Sequence, residues 1–314
     1  MSAPSYVLIT PAHNEEAYVE ELIASVASQT IRPQKWVIVN DGSTDDTRRR
    51  VEAFSTKHDF IQLLNVTRTG GHNFGKKVLA FNRGLEAVQG LNYDFIGNLD
   101  ADITVGPNYF ESVLRAFEAN ARLGIAGGAV FSNTQGKFVN QNASLDSVAG
   151  AVQLFRRECF EEIGGIPLLE YGGEDGSAEI KARMKGWKVE QLPNLHAHEH
   201  RQTGTARSGL WLSKFREGRR FYSMGYGFAF YAMRCLYRSK EPPIILGSMM
   251  AFAGYLRCVF QREPKGISAE LERFLRAEKR SKLKRLAFFN RRDFSRHKAV
   301  GRVPSVRARL GKTV

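Results

Sequence analysis

The sequence predicts an α/β fold in which helices flank a mostly parallel β-sheet. Short apolar runs alternate with amphipathic stretches of 10–13 residues, which is typical of βαβ units. Polar clusters follow several of the apolar runs directly. The chain has 314 residues, of which 43% are hydrophobic and 25% charged, so it has ordinary globular composition and can bury a core without disulfides.

The apolar runs and the helical periodicities place the elements of this domain, which we expect to span residues 1–205. The predicted strands are 6–10, 35–39, 61–66, 93–99, 125–131, 151–155 and 188–192. The predicted helices are 16–28, 45–56, 76–88, 109–119, 157–163 and 174–185. Residues 132–149 are polar and indicate a loop or a hairpin.

Charge divides the chain into an acidic part and a basic part. Residues 1–200 hold 19 Lys and Arg against 25 Asp and Glu, whereas residues 201–314 hold 27 against 7. Such asymmetry indicates a polyanionic partner, either nucleic acid or an anionic membrane. The alternative is a basic tail that only aids solubility.

Composition changes after residue 205, where we expect a helical extension (206–289) and a flexible basic tail (290–314). Two aromatic, apolar stretches (221–237 and 244–260) have about 17 residues each, at the lower limit for a membrane span. Residues 268–286 follow as a basic amphipathic helix. These features predict an anchor that lies in the membrane interface. The alternative is a helical bundle packed on the first domain.

The cysteines and the N-terminus predict a cytoplasmic protein. Cys159, Cys235 and Cys258 are widely spaced and form no CxxC pair, which favours a reducing compartment. The first ten residues lack the basic segment and apolar run of a signal peptide. We therefore expect a peripheral or monotopic protein at the cytoplasmic face of the membrane.

Acidic residues follow the second and fourth predicted strands, at the ligand-binding edge of such sheets. Alternation along the fourth strand would send the carboxylates of Asp100 and Asp102 to the same side. Two adjacent carboxylates favour a cation, and their hard oxygen atoms suit Mg²⁺ or Mn²⁺ shared with a diphosphate. The alternative is a solvated strand end. Asp41 ends the second strand and could bind a base or a ribose, although helix capping by Asp41, Ser43 or Asp45 competes with that role.

A glycine-bearing loop, GHNFGKK at 71–77, leads into the third predicted helix. Helix N-termini and nearby lysines attract phosphate, although two surface lysines are the alternative. No GxGxxG follows the first strand, which disfavours a dinucleotide-binding fold.

Four motifs occur in order within about 100 residues: TPAHNEE at 10–16, VNDGSTDDT at 39–47, a run from NFGK to NRGL at 73–85, and LDAD at 99–102. Their order and spacing resemble the family-2 glycosyltransferases of GT-A fold. Farther along, FEEIGG at 160–165 and the pair Glu174-Asp175 look like the acceptor-side half of that family. The resemblance covers roughly residues 5–205.

The resemblance implies an inverting enzyme that transfers a sugar from a nucleoside-diphosphate donor. Asp102 matches the family's metal-binding acid, which implies Mn or Mg as cofactor. Asp175 matches the general base that deprotonates the acceptor hydroxyl. The positions that match nucleotide-binding residues are Pro11, Glu15, Asp41, Lys76 and Asp100. The positions on the acceptor side are Gly164, Gly165 and Glu174.

The chain also departs from the family pattern. Ser177 stands where the family often has a second acid, which leaves the acceptor contacts open. The QxxRW motif of processive synthases is absent, so we expect a non-processive enzyme acting on a lipid-linked or surface glycan. In the polar loop predicted at 196–205, we expect His200 as a third metal ligand. Arg201 and Thr203 could clamp the diphosphate, although an exposed turn is the alternative.

Two other functions compete with this interpretation. A sugar-1-phosphate nucleotidyltransferase shares the sheet design but carries a GxGTRxxP-type loop, where this chain has PAHNEEAY. A non-enzymatic polyanion-binding protein would use the basic tail, but no zinc spacing or RNP-like motif supports nucleic-acid binding. The sequence leaves the sugar, the base, the acceptor and any oligomerisation open.

Overall fold

The computed structural model describes residues 4–67, 75–134, 137–140, 144–201, 209–240 and 244–283. The strands are β1 (Tyr6–Ala12), β2 (Lys35–Asp41), β3 (Ile61–Val66), β4 (Phe95–Asn98), β5 (Ile103–Val105), β6 (Leu123–Thr134), β7 (Lys137–Asn140), β8 (Leu154–Arg156) and β9 (Lys188–Glu199). The α-helices are α1 (Val19–Ala27), α2 (Thr47–Ser55), α3 (Gly75–Ala87), α4 (Tyr109–Ala119), α5 (Arg157–Glu162), α6 (Glu174–Met184), α7 (Leu210–Ser223), α8 (Phe228–Tyr237), α9 (Leu246–Phe260) and α10 (residues 269–283). The predicted positions of Thr203, of most of the 71–77 loop and of the 290–314 tail lie outside the described residues.

The nine strands of the described residues form one sheet. Their order is β3-β2-β1-β4-β8-β6-β9-β5, and β7 pairs with β6. Strands β3, β2, β1 and β4 are parallel, as the alternation of strands and helices predicts. Strand β8 runs antiparallel between β4 and β6, and β5 runs antiparallel to β9. The sheet is therefore mixed. Its parallel half contains the strands after which the sequence predicts the nucleotide-binding residues.

The core lies on both faces of this sheet. Tyr6–Ile9 in β1 and Trp36–Val39 in β2 are fully buried, which is why their sequences read as continuous apolar runs. Helix α3 packs so closely on β1 that a β-carbon at Gly84 would lie 2.5 Å from Cγ2 of Ile9. On the other side of the sheet, the rings of Tyr6 and Phe110 stack with centroids 4.9 Å apart.

Three predicted boundaries are wrong in ways that matter for the site. Strand β9 continues to Glu199, so residues 196–199 lie between β6 and β5 and not in a loop. Strand β4 ends at Asn98, so Asp100 and Asp102 lie in the turn before β5 and not on a strand. The strand predicted from residue 151 begins only at Leu154, after a 3-10 turn at Gly150–Val152.

The helices that follow residue 208 form a bundle that packs on the first domain. Leu271 and Leu275 of α10 are buried in a cluster with Leu169 and with Ile180 of α6. Arg183 Nε of α6 lies 2.7 Å from a carboxylate oxygen of Glu278, which adds an ion pair to this contact. The apolar face of α10 is therefore covered by protein, as the alternative of a helical bundle packed on the first domain predicts, and membrane association of the extension stays a prediction.

Helices α7 and α9 cross at very short distance. A β-carbon at Gly218 would lie 1.8 Å from the carbonyl oxygen of Ala251, and one at Gly254 would lie 2.0 Å from that of Phe215. Among the described residues, no helix is both long and apolar enough to cross a membrane.

Candidate active site

Two adjoining cavities open where β1, β2 and β4 end. The first has a volume of about 320 Å³, and the second about 290 Å³. Lys77, Asp100 and Glu174 line both, so the cavities meet at these three side chains. The sequence-predicted residues that line the first cavity are Pro11, Glu15, Asp41, Lys76, Asp100, Asp102 and Arg201. Asp175 lines the second cavity.

The loops that follow β1 and β2 brace each other by hydrogen bonds. The backbone N–H of Asn14 donates to Oγ of Ser43 at 3.1 Å, and Oδ1 of Asn14 accepts from the N–H of Thr44 at 2.8 Å. Asp46 is the N-cap residue of α2, and the neighbouring Asp45 accepts through Oδ1 from the backbone N–H of Thr47 at 3.0 Å. Asp41 lines the first cavity.

An arginine joins two acids in the wall of the first cavity. The guanidinium of Arg201 pairs with the carboxylate of Glu15, and its Nε lies 3.6 Å from Oδ2 of Asp102. Burial raises the pKa of Glu15 to about 7, although Arg201 opposes the shift. Burial and the neighbouring carboxylates of Asp100 and Glu199 raise the pKa of Asp102 to about 7. In this acidic wall, Glu15 and Asp102 therefore share one guanidinium.

The turn between β4 and β5 is held by its own hydrogen bonds and by a lysine. The backbone N–H of Ile103 donates to the carbonyl of Asp100 at 3.3 Å, which closes the turn. Nδ2 of Asn98 donates to the Asp100 carboxylate at 3.0 Å, and Nζ of Lys77 lies 2.6 Å from it. Burial opposes the charge on Lys77, but the carboxylates of Asp100 and Glu174 outweigh it and raise its pKa. Lys77 is thus the cation that contacts Asp100 in this turn, while Arg201 lies near Asp102.

His200 does not line either cavity. Its Nε2 lies 2.8 Å from Oγ1 of Thr104, and its Nδ1 lies 3.8 Å from a carboxylate oxygen of Glu21. The preceding residue, Glu199, lines the second cavity, and its carboxylate accepts from the hydroxyl of Ser132. Strand alternation explains why only one of these two neighbours faces the cavity. His200 as a metal ligand stays a prediction.

The acidic turn fits a divalent cation that takes part of its ligands from elsewhere. Within the described ranges, no three His, Cys, Asp or Glu side chains lie close enough together to hold a metal ion. Asp100 and Asp102 nevertheless offer hard oxygen ligands. Burial first, and then the carboxylates of Asp100 and Glu199, raise the pKa of Asp102, and a cation bound there would favour its charged form. Mg²⁺ and Mn²⁺ are commonly bound in this way, by one or two carboxylates together with phosphate oxygens.

Asp175 lies in the first turn of α6, at the floor of the second cavity. Its Oδ1 accepts from the backbone N–H of Gly176 at 2.7 Å, and its Oδ2 accepts from that of Gly150 at 3.3 Å. Gly173 permits the chain to enter α6 because its φ is +92°. Burial and the nearby Asp175 raise the pKa of Glu174, which lies between the two cavities. Gly164 and Gly165 line neither cavity; each has a φ of +72° directly after α5.

Sequence reasoning missed several residues of the site: Lys77, Glu199, Gly150 and Arg220. Lys77 stands beside Lys76 in the sequence, and the rotation of α3 about its axis decides which of the two side chains reaches Asp100. Arg220 belongs to α7, in the extension, and no motif connects it with the first domain. Its side chain passes Gly173, since a β-carbon there would lie 3.3 Å from Cδ of Arg220.

The order of the sheet and the position of the acidic turn after β4 fit the GT-A fold that the motifs predict. Residues 7–164 match the family described as Glycosyl transferase family 2, which is half of the chain. The protein therefore belongs to this family, as its four motifs predict.

Solved structures share the fold at low sequence identity. The mannosyltransferase PcManGT from Pyrobaculum calidifontis, in complex with GDP-Man and Mn²⁺, has a TM-score of 0.52 and 17% identity, with 87% of this chain and 79% of that one covered. TarS 1–349 of S. aureus, in complex with UDP-GlcNAc, has a TM-score of 0.51 and 16% identity, with coverages of 82% and 73%.

A sequence relative matches over a shorter range. The putative glycosyltransferase EpsH of Bacillus subtilis is 26% identical over 147 residues, which is 47% of this chain and 38% of that protein. The chain thus spans well under half the length of this relative.

Proposed function

We propose that this enzyme transfers one sugar from a nucleoside-diphosphate donor to a hydroxyl of a glycan or lipid-linked acceptor, with a divalent cation and with inversion. The observation that carries the proposal is the meeting of two cavities at Lys77, Asp100 and Glu174. The first cavity has the acids and cations that suit a metal-bound diphosphate. The second has a carboxylate, Asp175, held ready for the acceptor.

The donor would occupy the first cavity. Pro11, Glu15 and Asp41 would contact the base and the ribose, and Asp100 and Asp102 would hold Mn²⁺ or Mg²⁺ with the diphosphate. When bound, such an ion supplies positive charge against the negative charge that grows on the leaving diphosphate. The complexes of PcManGT with GDP-Man and Mn²⁺ and of TarS with UDP-GlcNAc support a nucleotide sugar, and the former a metal.

The acceptor would enter the second cavity, where Asp175 serves as general base. Its carboxylate takes the proton of the acceptor hydroxyl while the oxygen attacks the anomeric carbon. The bond from that carbon to the diphosphate oxygen breaks on the opposite face, so the anomeric configuration inverts. The backbone N–H groups of Gly150 and Gly176 fix the carboxylate before the acceptor binds. The lack of a QxxRW motif supports transfer of a single sugar.

Donor binding tests this proposal directly. We expect UDP-GlcNAc or GDP-Man to raise the melting temperature with Mn²⁺ and not with EDTA, since a ligand at 100 times its Kd adds about 2.7 kcal/mol to the free energy of unfolding. In Asp102→Asn, the part of this rise in melting temperature that depends on Mn²⁺ should be lost. Asp146→Asn is the matched control, because this carboxylate pairs with Lys282 and lines neither cavity.

Two results would contradict the proposal. One is an equal rise in the melting temperature in EDTA, which would show that donor binding does not need the metal. The other is no shift with any nucleotide sugar together with retention of an oligonucleotide at about 0.2 M salt, which would favour a polyanion-binding protein.

A further inference from the structure

We propose that the surface formed by the end of α8 and the start of α9 docks on an anionic membrane. We call this surface the α8–α9 patch. Its large apolar side chains are each between 55% and 83% exposed: Leu236, Tyr237, Ile244, Ile245, Leu246 and Met249. The two segments touch, because the backbone N–H of Ile245 donates to the carbonyl of Ser239 at 2.8 Å. The exposed apolar residues therefore lie on two adjoining segments at one end of the extension.

Water contact with so many large apolar side chains is unfavourable. Exposed apolar patches beyond a few hundred Å² mark interaction sites on soluble proteins. The other apolar face of the extension, on α10, is already buried against α6. The apolar side chains of the α8–α9 patch, in contrast, are available to a partner.

Positive charge beside the patch selects the kind of partner. Lys214, Arg234 and Arg238 converge on Glu217, with nitrogen-to-oxygen distances of 3.3, 3.8 and 3.1 Å. Glu217 offsets only one of the two cations Lys214 and Arg234, so these three side chains together carry a net charge of +1. Gly247 of α9 lines the same hollow, which places this charge next to the patch.

This combination favours an anionic bilayer over a second copy of the chain. A symmetric dimer through the patch would bring two positive clusters to the same interface, and like charges there are repulsive. Anionic headgroups would instead attract Lys214, Arg234 and Arg238, while the apolar side chains enter the acyl boundary. Basic charge around a partly inserted apolar surface is the pattern of monotopic membrane binding.

Helix α7 relates the patch to the proposed catalysis. Lys214 belongs to the positive cluster, and Arg220, six residues later on the same helix, lines the second cavity. At 1.5 Å per residue, these two positions are about 9 Å apart along the axis. A docked membrane would therefore lie near the proposed acceptor cavity, as a lipid-linked acceptor requires. This last step rests on the proposed function, whereas membrane binding itself does not.

Vesicle sedimentation without donor tests the inference. We expect the full-length protein to sediment with phosphatidylcholine vesicles that contain phosphatidylglycerol, and much less with phosphatidylcholine alone. The triple variant Leu236→Ser, Ile244→Ser, Met249→Ser should lose binding by about tenfold or more, because these side chains supply the apolar burial. The matched control is Leu79→Ser, Leu145→Ser, Leu168→Ser, three equally exposed apolar residues of the first domain. The control should bind like wild type.

Charge and fold are checked in the same assay. The double variant Lys214→Gln, Arg234→Gln should bind less tightly and depend less on salt than the wild type. Both triple variants should keep the wild-type melting temperature, since each of their substituted side chains is more than half exposed.

Two outcomes would overturn the inference. The first is wild-type vesicle binding by the triple variant. The second is a wild-type dimer that the triple variant converts to a monomer, without binding of either protein to anionic vesicles. Because no donor is present, neither outcome depends on whether the enzyme transfers a sugar.

Discussion

Replacing Gly150 with alanine would push against the carboxylate that we propose as the general base. A β-carbon at Gly150 would lie 2.8 Å from Cβ of Asp175 and 3.1 Å from its Oδ2. Because carbon atoms in contact lie about 3.5–4.0 Å apart, the Asp175 side chain must move by about 0.5–1 Å. A displacement of about 1 Å at a reacting group can cost about 10²-fold in rate. We therefore expect Gly150→Ala to lower kcat by about 10- to 100-fold.

The assay measures release of nucleoside diphosphate from the donor that gives the largest thermal shift. The Kd of the nucleoside diphosphate, measured by calorimetry, should stay unchanged because Gly150 does not line the first cavity. The matched control is Gly106→Ala, where the nearest atom to the new β-carbon is 3.9 Å away. A folded Gly150→Ala protein with the wild-type kcat would refute this prediction, because it would show that the rate does not depend on the position of the Asp175 carboxylate.

Three further predictions concern stability and donor binding. Burial raises the pKa of Glu179 from 4.5 to about 7, so between these values the folded protein holds a proton that the unfolded chain has lost. The free energy of unfolding should therefore fall as pH rises through this range. Urea titrations at pH 5 and pH 8 should show a smaller fall for Glu179→Gln than for the wild type, and an equal fall in the two proteins would contradict this prediction. Leu275→Ala should remove about 2–5 kcal/mol from the free energy of unfolding of the extension, because Leu275 is fully buried, and unchanged denaturation would show that α10 does not pack there. Lys77→Met keeps the apolar stem of the side chain but removes the ammonium group that contacts Asp100. The Kd of the nucleoside diphosphate, measured by calorimetry, should therefore rise about tenfold or more, and an unchanged Kd would argue against a role for Lys77.

The parallel half of the sheet could be predicted because its strands are buried on both faces. Continuous apolar runs such as 36–39 carry that signal directly, and the polar residues that follow them mark the ligand edge. Strand β5 has only three residues, which is too short for any periodicity to show. Strand β9 contains a proline, and its pairing with β6 shifts register between Gly128 and Ala129. Its course depends on partners distant in the sequence, which local patterns do not encode.

The residues of the candidate site could be predicted where a sequence motif includes both the residue and the loop that positions it. Glu15 and Asp41 lie where their motifs indicate, because the loops that carry them are short and brace each other. The choice of Lys77 over Lys76 as the partner of Asp100 depends on the phase of α3. The contribution of Arg220 depends on how the extension packs, and that packing is a tertiary property of α7, α9 and α10.

The central claim is that Asp175 removes the proton from the acceptor at the end of a metal-bound donor cavity. The most direct measurement compares kcat and donor Kd for Asp175→Asn, with Glu174→Gln as the neighbouring control. The account predicts that Asp175→Asn lowers kcat by about 10²–10⁴-fold while the donor Kd stays near that of wild type. Turnover of Asp175→Asn near the wild-type rate, with loss of activity in Glu174→Gln instead, would contradict it and assign the proton transfer to Glu174.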